Sequence, residues 1–120
     1  MKKQIFLVIV LCWTVAQMPA QVAFRHVTTA ANVSGHITSL DHPQLNGNPN
    51  AMLFVLPNYN LNGAEAAGQN YQQNAGVWYN GSRWTIFNQD TKEPMPLNMT
   101  FNVLIAPAGN PNCFTFTVTE

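Results

Sequence analysis

Charge is what this chain has least of: Asp, Glu, Lys and Arg together make up 8% of its 120 residues. Two of the five basic residues, Lys2 and Lys3, stand at the extreme amino terminus. The rest of the chain sets Arg25, Arg83 and Lys92 against Asp41, Glu65, Asp90, Glu93 and Glu120, three against five, a net −2 with histidines neutral. No basic stripe exists to neutralise a phosphate backbone, which excludes nucleic acid and anionic membrane surfaces as electrostatic partners. Cysteine is nearly missing too, with only Cys12 and Cys113. Long hydrophobic runs are absent: the longest, from Ile5 to Trp13, falls well short of the roughly 20 apolar residues that a spanning helix needs.

That short run has a different meaning. Met1-Lys2-Lys3 followed by an apolar stretch is the basic head and hydrophobic middle of a secretion signal. Cleavage is expected after Ala20, with Ala16 as a second small-residue position. The expected division is therefore a signal peptide over 1–20 and a single domain over 21–120, secreted or periplasmic and without a membrane anchor. Cys12 follows Leu11 and precedes Trp13, not the small residues of a lipidation site. Its removal leaves Cys113 with no intramolecular partner, and a buried, small apolar role in a strand is expected for it. A domain of this size without staples depends on one hydrophobic core.

Asparagine is abundant, with fifteen residues, all beyond position 30. Its side chain bonds the nearby backbone and tolerates left-handed angles, so it marks turns. Asn46-Gly47, Asn62-Gly63, Asn80-Gly81, Asn48-Pro49 and Asn110-Pro111 interrupt runs rich in β-branched and aromatic residues. Strands are expected over 22–27, 33–40, 51–56, 76–79, 83–88, 100–106 and 113–119, and no stretch reads as a helix. In the last strand Phe114, Phe116 and Val118 alternate with Thr115, Thr117 and Thr119, one dry face and one wet. Met52-Leu53-Phe54-Val55-Leu56 is continuously apolar and is expected mid-domain with both faces covered. A two-residue turn at Asn80-Gly81 would place Tyr79 opposite Ser82 and Trp78 opposite Arg83, and a longer loop is expected to shift the register and move the tryptophans to other faces. The segment 58–73 is the one long connection. The fold class is all-β, a small antiparallel β-sandwich of about seven strands.

Few residues carry evident chemistry. No Gly-x-Ser-x-Gly elbow, calcium-loop pattern or close carboxylate pair on a rigid element is present, so the sequence points away from an enzyme and calls for no cofactor. Two constellations remain. Around the expected hairpin, Trp78, Tyr79, Arg83, Trp84, Asn88 and Asp90 combine ring faces with planar polar groups, the chemistry that stacks on and hydrogen-bonds a sugar; the alternative is that the rings are core. The other is His26, His36, Asp41 and His42, three imidazoles and a carboxylate able to ligate a metal, which makes a metal-binding protein or a metal-dependent enzyme, with Asp41 and His42 as an acid/base pair, the alternative function. The six-residue interval between His36 and His42 fits neither finger nor helical zinc spacing, and Asp41 and His42 would equally serve to fix the turn into Pro43. The expected partner is a glycan or a cell-surface protein. Three sequons, at Asn32, Asn80 and Asn98, carry no weight beside a signal of bacterial type.

At Asp41-His42-Pro43-x-Leu45-Asn46-Gly47-Asn48-Pro49 and Val77-Trp78-Tyr79-x-Gly81-x-x-Trp84-x-Ile86-Phe87-Asn88-Gln89-Asp90, and on through Met95-Pro96 to Phe101-Asn102-Val103, the chain resembles a family of bacterial exported domains of unknown function. The resemblance spans nearly all of 21–120. It implies a β-sandwich module, alone or within larger surface chains, with no established activity and no catalytic residue to carry over. Leu56-Pro57-Asn58-Tyr59-Asn60 departs from the family's pattern, which has a Thr and a Trp around the Asn.

Overall fold

A computed structural model describes residues 21–61, 64–65 and 71–106. The expected signal segment 1–20 and the expected strand 113–119 lie outside the described residues. In chain order the strands are β1 (Val22–Val27), β2 (Val33–Ser34), β3 (Ile37–Ser39), β4 (Met52–Asn58), β5 (Asn60–Leu61), β6 (Ala64–Glu65), β7 (Ala75–Tyr79), β8 (Trp84–Asn88) and β9 (Thr100–Ala106). Seven of them form two antiparallel sheets, β1-β9-β4 and β2-β3-β8-β7, and β5 pairs only with β6. There is no helix among the described residues. The all-β sandwich is the architecture expected of alternating short strands punctuated by asparagine.

Register assigns the faces. Val22, Phe24 and His26 of β1 pair with Ile105, Val103 and Phe101 of β9, which in turn pair with Leu53, Val55 and Pro57 of β4. This row faces inward. From the other sheet Ile86 and Trp84 meet it, joined by Leu40, Leu45, Tyr71, Met95 and Met99 from the connecting segments. Fully burying a side chain such as Leu40, Ile86 or Phe101 contributes about 1.5–3 kcal/mol, so a core of this kind can hold a domain with no cysteine in residues 21–106.

Two expectations are corrected. The run Met52-Leu53-Phe54-Val55-Leu56 is not central: β4 is an edge strand, and β9 occupies the middle of its sheet. Leu53 and Val55 pack on the core, whereas Phe54 and Leu56 point away from it and are 56% and 66% exposed. Continuous apolarity reports two apolar faces, not two covered ones. The expected strand over 33–40 is split into β2 and β3 by a turn at Gly35, whose φ of 57° is open to glycine at no steric cost.

The β7–β8 hairpin closes with a four-residue connection, with Asn80 N–H donating to Arg83 O at 2.9 Å. Tyr79 pairs with Trp84, Trp78 with Thr85 and Val77 with Ile86. Relative to a two-residue turn the register moves by two, and because side chains alternate with a period of two, every face is preserved. Asn80 fastens the loop, its Oδ1 accepting from Ser82 N–H at 3.1 Å and Arg83 N–H at 2.9 Å. Further along the same pair, Gly76 lies opposite Phe87, and a Cβ there would overlap the Phe87 ring. The missing side chain is the seat of that ring. Gly76→Val should therefore cost about 1–3 kcal/mol in urea unfolding, the usual penalty of overpacking. Adding Phe87→Leu should restore at least half of the loss; an equal loss in both variants would show that the ring is not the obstacle.

Candidate functional site

Where β1 faces the β2–β3 hairpin, the sandwich opens into a cleft of about 680 Å³. One wall is β1, with Phe24, Arg25, His26 and Val27; the other is built from Asn32, Val33, Ser34 and Ser39, and Asp41 and Arg83 close one end. The lining mixes guanidinium, carboxylate, amide and hydroxyl groups with an aromatic ring. It is thus suited to a ligand that presents both polar and apolar surface.

A buried polar chain underlies this wall and ties the sheets together. His26 is buried, and its Nε2 lies 2.8 Å from Thr38 Oγ1 on β3. Thr38 Oγ1–H donates to Asn32 Oδ1 at 3.1 Å, which also accepts Thr29 N–H at 2.8 Å, while Asn32 Nδ2 donates to Val27 O at 2.9 Å. Because the threonine proton is directed at Asn32, His26 donates through Nε2, so its neutral form is the Nε2–H tautomer. Burial favours that neutral form and lowers the His26 pKa below its ordinary 6.5.

At the cleft's end Arg83 Nη1 stands 3.3 Å from Asp41 Oδ2, an exposed ion pair. Asn46 Nδ2 donates to Asp41 Oδ1 at 2.7 Å. The Asn46 amide first, and then the Arg83 guanidinium, hold the Asp41 carboxyl below its usual value. His42 stacks on Phe24 with centroids 4.7 Å apart and planes 12° from parallel, and its Nδ1 accepts Gln44 N–H at 3.2 Å. The ring is thereby held flat against the cleft's aromatic residue.

The two groups of residues singled out in the sequence are regrouped by this geometry. His26, Asp41 and Arg83 line one cleft, with His42 stacked on its Phe24 wall. His36 lies in the β2–β3 turn, where its carbonyl accepts Asn88 N–H at 2.9 Å. Among the described residues no group of three or more His, Cys, Asp or Glu side chains is placed to hold a metal ion. Of the hairpin residues, Trp78 is 53% exposed, while Tyr79 and Trp84 lean together at 5.6 Å and Trp84 Nε1–H donates to Asn48 O at 2.8 Å. Asn88 is fully buried: its amide donates to Glu93 O (2.8 Å) and Pro94 O (3.1 Å), and its oxygen accepts Tyr71 O–H at 2.6 Å. Asp90 accepts Lys92 N–H at 3.0 Å and shapes the turn after β8. Phe24, Arg25, Ser34 and Ser39 were not singled out in the sequence, and Asn32 only as a sequon. The alternation of β1, which puts Phe24 and His26 on one face, is the signal that links the first of them to the site.

A family model described as a domain of unknown function (DUF7452) matches residues 6–105, from within the amino-terminal apolar run to the penultimate residue of β9. The chain belongs to this family. No curated protein and no solved structure matches it. Family membership therefore leaves the assignment of any site in this DUF7452 chain to the geometry of its own residues.

The buried imidazole makes stability depend on pH with a definite sign. A histidine whose pKa is lowered by folding takes up its proton more readily in the unfolded chain, so stability rises with pH. The contribution is complete above about pH 6.5 and is lost as pH falls from there through the lower, folded-state value. The melting temperature should fall between pH 7 and pH 5, and His26→Gln should flatten that fall. An unchanged slope in the variant would remove His26 as its source.

Proposed function

We propose that this domain is a non-enzymatic binding module of an exported protein and that it takes neutral, polyhydroxylated ligands, the glycans of a surface. The observation that carries the reading is the half-exposed ring of Trp78 on the edge strand β7. Trp78 pairs with Thr85 and Thr85 with Ser39, so the three share one cross-strand row, in which Thr85 is fully buried and donates its hydroxyl to Trp78 O. At the usual strand spacing Ser39 is about 10 Å from Trp78. Ser39 also lines the cleft that holds Arg83 and Asp41. The exposed ring of Trp78 and the hydroxyl, guanidinium and carboxylate groups of the cleft thus lie on either side of the buried Thr85.

The chemistry suits an uncharged ligand. The cleft's Arg83 and Asp41 are paired with each other, so neither presents an uncompensated charge, and both still offer hydrogen-bonding atoms to a polar ligand. Tryptophan supplies large apolar area with little rotamer entropy to lose, which is why such a side chain serves as an anchor. Export is supported by the basic head and apolar run of residues 1–13, a surface or extracellular setting in which glycans are the abundant ligand.

Glycan-array screening of the purified domain, followed by calorimetry on the best ligand, tests the reading. Trp78→Ala should weaken binding at least tenfold, about 1.4 kcal/mol, with an unchanged melting temperature, since the ring is not part of the core. Absence of any glycan ligand, or full affinity in Trp78→Ala, would defeat the proposal. Selective capture of a purified surface protein through the same ring would move it to the protein-binding class.

A further inference from the structure

Two Asn-Gly pairs are exposed in loops of the described residues, Asn46-Gly47 and Asn80-Gly81; the third, Asn62-Gly63, lies outside them. Such a pair can react with itself, because the glycine nitrogen can attack the asparagine side-chain carbon and no glycine side chain hinders the ring closure. Gly47 and Gly81 are alike in this respect. Each has positive φ, 70° and 98°, and open space where a Cβ would stand. Exposure and backbone do not separate the two sites, but hydrogen bonding does. At Asn46 the reacting groups are committed: Gly47 N–H donates to Ser82 O at 2.9 Å, and Asn46 Nδ2, the group that would leave, donates to Asp41 Oδ1 at 2.7 Å. At Asn80 the arrangement is reversed. Gly81 N–H and Asn80 Nδ2 make no hydrogen bond among the described residues, while Asn80 Oδ1 accepts from Ser82 N–H at 3.1 Å, Ser82 Oγ–H at 3.1 Å and Arg83 N–H at 2.9 Å. Those donors surround the oxygen that gathers negative charge when Cγ becomes tetrahedral, so they lower the barrier as an oxyanion hole does.

We propose that Asn80 is a self-modification site, converted in the folded protein to aspartyl and isoaspartyl forms while Asn46 is preserved. Gly81 N gives up its proton to water and bonds to Asn80 Cγ, the Cγ–Nδ2 bond breaks, and the amide nitrogen takes up a proton and leaves as ammonia. Water then opens the succinimide at either of its carbonyls. The net change is one water consumed and one ammonia released, with nothing oxidised or reduced. The aspartyl product keeps acceptor oxygens for Ser82 N–H and Arg83 N–H, so the turn persists. The isoaspartyl product routes the main chain through Cβ and lengthens the connection between β7 and β8 by one backbone carbon. Either product sets a new negative charge in the loop that joins the strand of Trp78 to Arg83, whose guanidinium pairs with Asp41 at the end of the cleft. The reaction thus adds charge beside the cleft as the protein ages.

Peptide mapping by mass spectrometry tests the assignment on the purified full chain held at mildly alkaline pH, with a parallel sample in urea. In the folded sample Asn80 should convert roughly tenfold faster than Asn46, the factor that one committed hydrogen bond of ordinary net strength adds to a barrier. In urea, where neither set of bonds survives, the two rates should agree within about twofold. Ser82→Ala removes the hydroxyl donor and keeps both backbone donors. It should slow conversion of Asn80 about threefold in the folded sample and leave the rate in urea unchanged. Equal rates at the two sites in the folded sample overturn the proposal, and so does a folded Asn80 that stays intact while its unfolded counterpart converts. An unchanged folded rate in Ser82→Ala overturns the part assigned to the donors around Oδ1.

Discussion

The two sheets of this domain are joined through one buried polar chain, His26 to Thr38 to Asn32, and much of the architecture around the cleft follows from it. His26 is on an edge strand of one sheet and Thr38 on a strand of the other, so their 2.8 Å contact is a hydrogen bond between layers that otherwise meet through apolar groups. Buried polar groups are costly unless every donor and acceptor finds a partner. Here Asn32 supplies the closure, accepting from Thr38 and from Thr29 N–H and donating to Val27 O. The same asparagine thereby shapes the turn between β1 and β2 and stands in the wall of the cleft. Site geometry and sheet packing are two consequences of one set of bonds.

Elsewhere the domain repeats this device. Thr28, fully buried, donates through its hydroxyl to Pro96 O at 2.6 Å and accepts Met99 N–H at 2.8 Å, pinning the segment before β9 to the end of β1. Asn98, at φ 63°, makes the bend between those two bonds, a conformation asparagine accepts more readily than most residues. Asn88 ties the end of β8 to the 93–94 segment and to Tyr71. In residues 21–106, which hold no cysteine, side-chain amides and hydroxyls bonded to backbone do the positioning that disulfides do in other small domains. Loops held this way leave Trp78 and the Phe54–Leu56 pair among the large apolar groups exposed on the described residues.

Much of the fold was legible because its signals are local. The period-two alternation of β1 and the β-branched run of β9 are properties of a few consecutive residues, and asparagine marks turn positions wherever it must bond its own backbone. Several of the failures concern information held elsewhere in the chain. Whether Phe54 and Leu56 are covered depends on strand order, and nothing in Met52-Leu53-Phe54-Val55-Leu56 says that β9, forty residues on, takes the centre. The hairpin's loop length was set by Asn80 bonding both Ser82 and Arg83, not by the Asn80-Gly81 pair alone. Of the site, His26, Asp41 and Arg83 were recognisable as chemistry-bearing residues, but their convergence was not, since it rests on β1 and β3 meeting across sheets. Asn88 shows the reverse error: a polar residue among exposed-looking aromatics proves to be a buried fastener.

The central claim is that the cross-sheet polar chain works as a unit, and a double-mutant cycle on His26 and Thr38 tests it most directly. Thr38→Val alone strands a buried imidazole N–H and one acceptance site on Asn32, and should lose about 1–3 kcal/mol in equilibrium unfolding. His26→Phe alone strands the threonine hydroxyl's acceptor and should also be destabilising. In the double variant neither partner remains to be stranded, so its loss should fall short of the sum of the two by at least about 1 kcal/mol. Additivity within about 0.3 kcal/mol would contradict the account, because it would mean that the two sheets are held by apolar packing alone and that the bond between them contributes nothing.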